Sequence, residues 1–414
     1  MLLLSPLVFV ALAGGIWTLQ RSGPATLSLP GSAYVNHFKF SPDGKRLVVF
    51  ADQGKPWTEQ GHVFELENRT EICKLAMPKL QGSTSRMYSY HSPPSWSPDG
   101  TRIVAGYNDD TFGNTPIPLL KPRRSGAKTR RNMIGKFAMW NAEAGTLLGT
   151  HFYAPVNENS RGGVRYSDDG KRLFGYGSPP SFFDPTTGRR TERLWSQIPV
   201  SRHAAFNEKS GLLALTDEYA RQFQVVDTRA KRVVWSPPIS GVNNLDWDGD
   251  ILAISSREIS KGGKGWGTSH LVLWDSRNHK TVASQTISPP NVIGEVLFRG
   301  DGQTLLYTTF SLSTASSLVL WNYRENRILW NYKAKSNLRN AQWSPDKNWI
   351  SVGAGATTDA PEQVLVFAHS GTLGQQIKAS GDAHSWSPDS QRLAVLQRED
   401  NKDWQIGIVD VVAK

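Results

Sequence analysis

Asn244, Asp246 and Asp248 set oxygen-bearing side chains at alternate positions ahead of Gly249, the spacing with which a loop opens around a calcium ion. Such a loop closes with a bidentate acid at its twelfth position, and Ser255 stands there. Lys261, Lys264 and the glycines at 262, 263, 265 and 267 have the composition of a phosphate cradle. They follow no Walker spacing and precede no helical pattern, so a glycine-rich loop is expected. Cys73 is the single cysteine, which rules out an intrachain disulfide. It lies just after the apolar strand pattern Val63-Phe64-Glu65-Leu66, a place that suits a packed thiol better than a nucleophile. No Gly-x-Ser-x-Gly elbow occurs, so nucleophilic hydrolysis finds no footing.

The elements that carry these residues come from one repeated unit. Its clearest copy is Trp96-Ser97-Pro98-Asp99-Gly100-Thr101-Arg102-Ile103-Val104-Ala105. A buried aromatic ends one strand, Ser-Pro-Asp-Gly makes the turn, and an apolar run returns. Proline presets φ, aspartate accepts backbone hydrogen bonds, and glycine takes the positive φ that a side chain resists. The anchoring aromatics are Phe40, Trp96, Tyr166, Phe206, Trp247, Phe298, Trp343 and Trp386, spaced 56, 70, 40, 41, 51, 45 and 43 residues apart. The turns after Phe206, Trp247 and Phe298 are weak copies. A second motif follows each turn, an apolar strand ending in an aromatic or valine and an acid or amide, as in Val272-Leu273-Trp274-Asp275 and Val319-Leu320-Trp321-Asn322. No long amphipathic helix is evident.

A repeat of this length with four short strands per unit is the mark of a propeller, in which each unit buries its faces only against its neighbours. The two motifs in fixed order resemble the WD40-like β-propeller repeat family over about residues 25–414. The resemblance implies an all-β, single β-propeller of eight four-stranded blades, or seven if one weak repeat is absorbed elsewhere, and says little about function. The eighth repeat ends after its third strand, so Ala25-Thr26-Leu27-Ser28-Leu29 is expected to supply the outer strand and close the ring. The expected order is 1–21 anchor or signal peptide, 22–36 linker and closing strand, and 37–414 propeller.

Residues 2–19 are uncharged and apolar, just long enough to span a bilayer as a helix. They lack a basic n-region, which favours an uncleaved anchor over a cleaved signal. By resemblance to exported bacterial members of the family, the propeller is expected on the extracytoplasmic side; secretion after cleavage and the cytoplasmic face stay open. The net charge is +11, and Lys121, Arg123, Arg124, Lys128, Arg130, Arg131 and Lys136 contribute seven of those charges within one acid-free stretch. That stretch is a solvated insertion or a surface for anionic lipid or another polyanion.

Residues three and four before each anchor should start the innermost strand near the channel mouth. They are polar in many repeats: Asn36 and His37, Arg202 and His203, Asn243 and Asn244, Glu295, Arg339 and Asn340, and Asp382. Donors and acceptors converging on one opening form the default binding-site hypothesis, and strand starts at a wet rim are polar in any case. His37, His203 and His384 approach one another only across the channel and have no ligand spacing, so no metal is expected. Quinone-dependent dehydrogenases are the enzymatic rival, because Asp227 with Trp235 and Asn322 with Trp330 copy their acid-to-tryptophan spacing. Those enzymes generally carry an adjacent cysteine pair and a calcium-bound cofactor, and here these tryptophans read as blade-to-blade packing. The expected product is a monomeric, non-catalytic, membrane-anchored interaction or scaffold module without cofactor. It takes a protein or peptide partner at the channel mouth and at the long loops of blades one and two, around Lys79–Pro94 and Asn108–Lys136, and no specific nucleic acid.

Overall fold

The computed structural model describes residues 25–29, 31–53, 58–78, 93–109, 133–156, 163–175, 180–195, 203–217, 220–259, 266–311, 316–357, 361–398 and 403–411. Among the described residues, all regular structure is β: 32 strands in eight four-stranded antiparallel sheets. The protein is an eight-bladed β-propeller. Seven blades take four strands in chain order, and the eighth takes its outer strand from the other end of the chain. There Ala25–Ser28 pairs antiparallel with Trp404–Asp410, in the register Ala25 to Ile408 and Leu27 to Ile406. The closing strand expected from the truncated eighth repeat is therefore present. The inner strand of blade one begins at Ser32, slightly ahead of the expected boundary at 37.

The apolar runs are continuous because each middle strand is covered on both faces. In blade one, Leu47, Val49 and Ala51 pack towards blade eight, while Val48 and Phe50 pack towards blade two. Period-two alternation thus sorts one run between two neighbours. The core is divided the same way, into eight clusters of buried side chains, one at each junction between blades. Seven anchors are buried, and Trp247 is half-buried. The indole nitrogens of Trp96, Trp247 and Trp343 donate to the carbonyls of Lys39, Ala205 and Leu297 at 3.1, 3.1 and 3.3 Å. In each case the acceptor is the residue just before the anchor of the preceding blade.

The Ser-Pro-Asp-Gly turns follow from their residue types. The Ser41 hydroxyl donates to the Asp43 carboxylate and accepts from the Arg46 N–H at 2.9 Å, while Asp43 accepts the Lys45 N–H at 3.1 Å. The same exchange recurs at Ser97, Ser167, Ser344 and Ser387. The Ser97 hydroxyl and the Thr101 N–H hold the Asp99 carboxyl below its usual range, as Ser167 and Lys171 do for Asp169. Gly44, Gly100 and Gly170 have φ of 68°, 69° and 68°.

Candidate functional site at the channel mouth

The polar residues ahead of the anchors lie where the inner strands lose register. The ladder skips Asn36 in blade one, Asn243 in blade five, Gly294 and Glu295 in blade six, Asn340 and Ala341 in blade seven, and residues 381–383 in blade eight. A bulge re-aims the residues it frees. Several of them bond to the next blade. The Glu295 carboxylate accepts the N–H groups of Asn340 and Ala341 at 2.9 and 2.8 Å, and burial pushes its pKa up against these two donors. The Asn244 side-chain oxygen accepts the Val296 N–H at 3.4 Å, and the Asn243 amide donates to the Ile293 carbonyl at 3.4 Å. Asn340, at φ 54°, donates to the Gly381 carbonyl at 3.5 Å.

A cavity of about 660 Å³ opens beside these bulges, across the starts of the inner strands of blades four to seven. Its lining includes His203, Asn243, Asn244, Glu295 and Arg339, half of the ten residues singled out from the repeat register. Asn36, His37 and Asn340 do not line it; Asn36 donates instead to Asp52 at 3.4 Å, and burial raises the Asp52 pKa. Asp382 belongs to the inner strand of blade eight, and Arg202 lies outside the described residues. The Arg339 guanidinium meets the Glu362 carboxylate at 2.6 Å, each side chain 38% exposed. Among the described residues, the cavity joins positions from blades four to seven out of those expected around the mouth.

Sequence reasoning missed Thr308, Phe310, Asn337 and Leu338 in the lining. Thr308 and Phe310 belong to the second strand of blade six, and Thr308 accepts the Glu295 N–H at 3.0 Å. Nothing in the repeat register distinguishes them from ordinary strand residues. It also missed the position just before the anchor in blades two, five and seven, whose side chain reaches the next blade. Asp246 accepts the Phe298 N–H at 2.8 Å, Ser95 accepts the Tyr166 N–H at 3.1 Å, and Gln342 donates to the His384 carbonyl at 2.9 Å. Burial pushes the Asp246 pKa up to about 6.

These bonds account for the calcium-like spacing, since Asp246 serves Phe298 and Asp248 accepts the Gly302 N–H at 3.0 Å. Among the described residues, no group of three or more His, Cys, Asp and Glu is gathered closely enough to hold a metal ion. His384 is buried at the junction of blades seven and eight, and burial lowers its pKa to about 4. Cys73 is half-buried, with its pKa raised by burial and by Glu71. Trp235 stacks on Trp274 of the next blade at 4.4 Å and 2°, and Trp330 stacks on Phe367 of the next blade at 5.9 Å. Lys136 lies on the strand Met133–Asn141, whereas Lys121 to Arg131 and the glycine-rich segment 260–265 lie outside the described residues. No helix among the described residues is long and apolar enough to cross a membrane, and residues 1–24 lie outside them.

With this geometry in hand, the chain is similar to the C-terminal WD40 domain of Sif2, at 14% identity and a TM-score of 0.62, over 94% of this chain and 98% of that domain. The chain has the fold of a WD40 propeller. It is similar to the Dos1 propeller at 13% identity and a TM-score of 0.62, over 94% of this chain and 95% of the other. Hydrazine synthase of Kuenenia stuttgartiensis, an enzyme, aligns at 11% identity and a TM-score of 0.50, over 92% and 96% of the two chains. No family model and no curated relative matches the sequence. At such identities the likeness is one of fold alone.

Proposed function

We propose that this propeller is a non-catalytic interaction module that grips a protein or peptide at the cavity on blades four to seven. The observation that carries the reading is the cavity itself, an opening of about 660 Å³ where His203, Asn243, Asn244 and Arg339 meet the apolar surface of Phe310 and Leu245. A small number of placed polar groups on an apolar wall is what recognition of a ligand requires. The rigid ring behind it, tied blade to blade, holds those groups in place without reorganisation. Residues 2–19 would tether the module to a membrane, with the propeller on the extracytoplasmic side.

The reading is tested with a photo-crosslinking residue placed at position 310, a half-buried aromatic of the cavity wall. A discrete crosslinked partner that disappears in His203→Ala and Arg339→Ala supports it. The same partner captured equally from position 148, on the outer edge of blade two, refutes it. Fractionation of the full chain after alkaline extraction tests the tether, which requires the protein to stay with the membrane.

A further inference from the structure

We propose that the axial channel holds a small dianion of the phosphate class near its turn end, between Lys39 of blade one and Arg165 of blade three. The eight inner strands line the channel of such a ring. Lys39 and Arg165 each stand one residue before an anchor, further along the inner strand than the polar residues of the mouth, so this site is separate from the docking cavity. Both are exposed although the residues on either side are buried, Phe38 and Phe40 in one strand and Val164 and Tyr166 in the other. An inner strand is covered at both blade junctions, so the channel is the open space left to these two side chains.

The equivalent positions of other blades show what sets the two apart. Ser95 and Asp246 accept a backbone N–H of the next blade. An ammonium and a guanidinium carry donors only and cannot make that contact. Among the described residues, no acid pairs with either cation. Lys39 is open to water yet ringed by protein closely enough for desolvation to lower its pKa, the combination that a narrow channel produces. A cation drawn out of bulk water is normally paired, and an anion from solution supplies the missing partner. Asp246 is the one acid among the eight equivalent positions. It lies across the ring from blade one, and its two oxygens take the N–H groups of Trp247 and Phe298 at 3.0 and 2.8 Å. A guanidinium fork and a point-charge ammonium approaching from two blades suit tetrahedral oxygens that carry two charges.

The experiment titrates inorganic phosphate with the full chain at fixed ionic strength and follows the phosphorus NMR line. The wild-type chain should broaden the line. Lys39→Met and Arg165→Met, which remove charge and keep an unbranched side chain, should each weaken binding by about tenfold or more. Lys39→Arg, which keeps the charge, should still broaden the line, and this separates a binding role from a defect in folding. Thermal melts give a second readout: phosphate should raise the melting temperature of the wild-type chain and leave that of the two Met variants unchanged. No broadening by the wild-type chain would overturn the proposal. So would broadening that survives both Met substitutions, or that disappears only when Arg123, Arg124, Arg130 and Arg131 become Ser. Loss in Lys39→Arg equal to that in Lys39→Met would also count against it, because the charge would then not be what matters. None of these outcomes touches the docking cavity, which is tested from position 310.

Discussion

Arg392 donates from Nη2 to the carbonyl of Gly44 at 2.9 Å, tying the turn of the last blade to the turn of the first. Arg46 makes the same bond to Gly100 at 2.7 Å between blades one and two. The junction that closes the ring therefore reuses the contact that joins consecutive blades, and it adds the pairing of Ala25–Ser28 with Trp404–Asp410.

Closure should depend on the apolar side of that pairing more than on the arginine. Leu27 is 1% exposed within the cluster between blades eight and one, so Leu27→Ala is expected to cost about 2–4 kcal/mol. Arg392→Ala, which removes a bond at a half-buried site, should cost about 1 kcal/mol. Urea denaturation of both variants checks the order, and a larger loss from the arginine would reverse the assignment.

Two turns carry a side chain where the others carry glycine. Lys347 sits at φ 63° and Ser390 at φ 62°. Relieving a left-handed residue gains about 1–2 kcal/mol, less about 0.5–1 for glycine's extra freedom in the unfolded chain. Lys347→Gly should therefore stabilise by up to about 1.5 kcal/mol. Ser390→Gly should not, because the Ser390 hydroxyl accepts the Asp346 N–H of blade seven at 3.0 Å. Thermal melts of the two single variants distinguish them.

Gly145 and Gly249 separate conformational strain from crowding. Both have positive φ, 66° and 56°. A Cβ at Gly145 would overlap the Lys74 carbonyl of blade one, whereas one at Gly249 meets nothing within 4 Å. Gly249→Ala is expected to cost about 1 kcal/mol. Gly145→Ala should cost about 3 kcal/mol or more, since two backbones must part. Equal losses on chemical denaturation would show that the blade one and two contact is softer than its geometry.

Half-buried Asp246 and buried His384 should oppose each other in the pH dependence of stability. Burial raises Asp246 from 3.8 to about 6, so the folded chain keeps a proton that the unfolded chain releases, and stability through this group is lost as pH rises from about 4 to about 6. Burial lowers His384 from 6.5 to about 4, so the unfolded chain takes up a proton that the folded chain refuses, and stability is lost as pH falls from about 6.5 to about 4. Near pH 5 each slope is about 1.4 kcal/mol per pH unit, with opposite sign. Asp246→Asn should unmask destabilisation on acidification from pH 6 to 4.5, and His384→Gln should unmask the reverse. Unfolding free energies measured across that window, with unchanged slopes in both variants, would contradict the assignment.

The eight-blade ring was legible in the sequence because its determinants are local. A ring side chain, a Ser-Pro-Asp-Gly turn and an apolar run specify a hairpin from within about ten residues, and eight such hairpins have one economical way to bury both faces. The closing strand was also legible, because a repeat that stops one strand short leaves an edge that the opening segment matches. The candidate site was legible in half. His203, Asn243, Asn244, Glu295 and Arg339 share one cavity, although the register alone treats Asn36, His37 and Asn340 as their equals.

By itself, the sequence determined the hairpins and their order, since turn chemistry and period-two burial act between residues close in the chain, and the structure decided for eight blades over seven. Only the tertiary structure decided how the bulged polar residues are used. Whether Glu295 faces solvent or caps Asn340 and Ala341 depends on where the next blade's backbone falls, 45 residues on. The packing of blade six on blade seven decides that contact, and the cavity beside it is lined by residues that the packing brings together from blades four to seven.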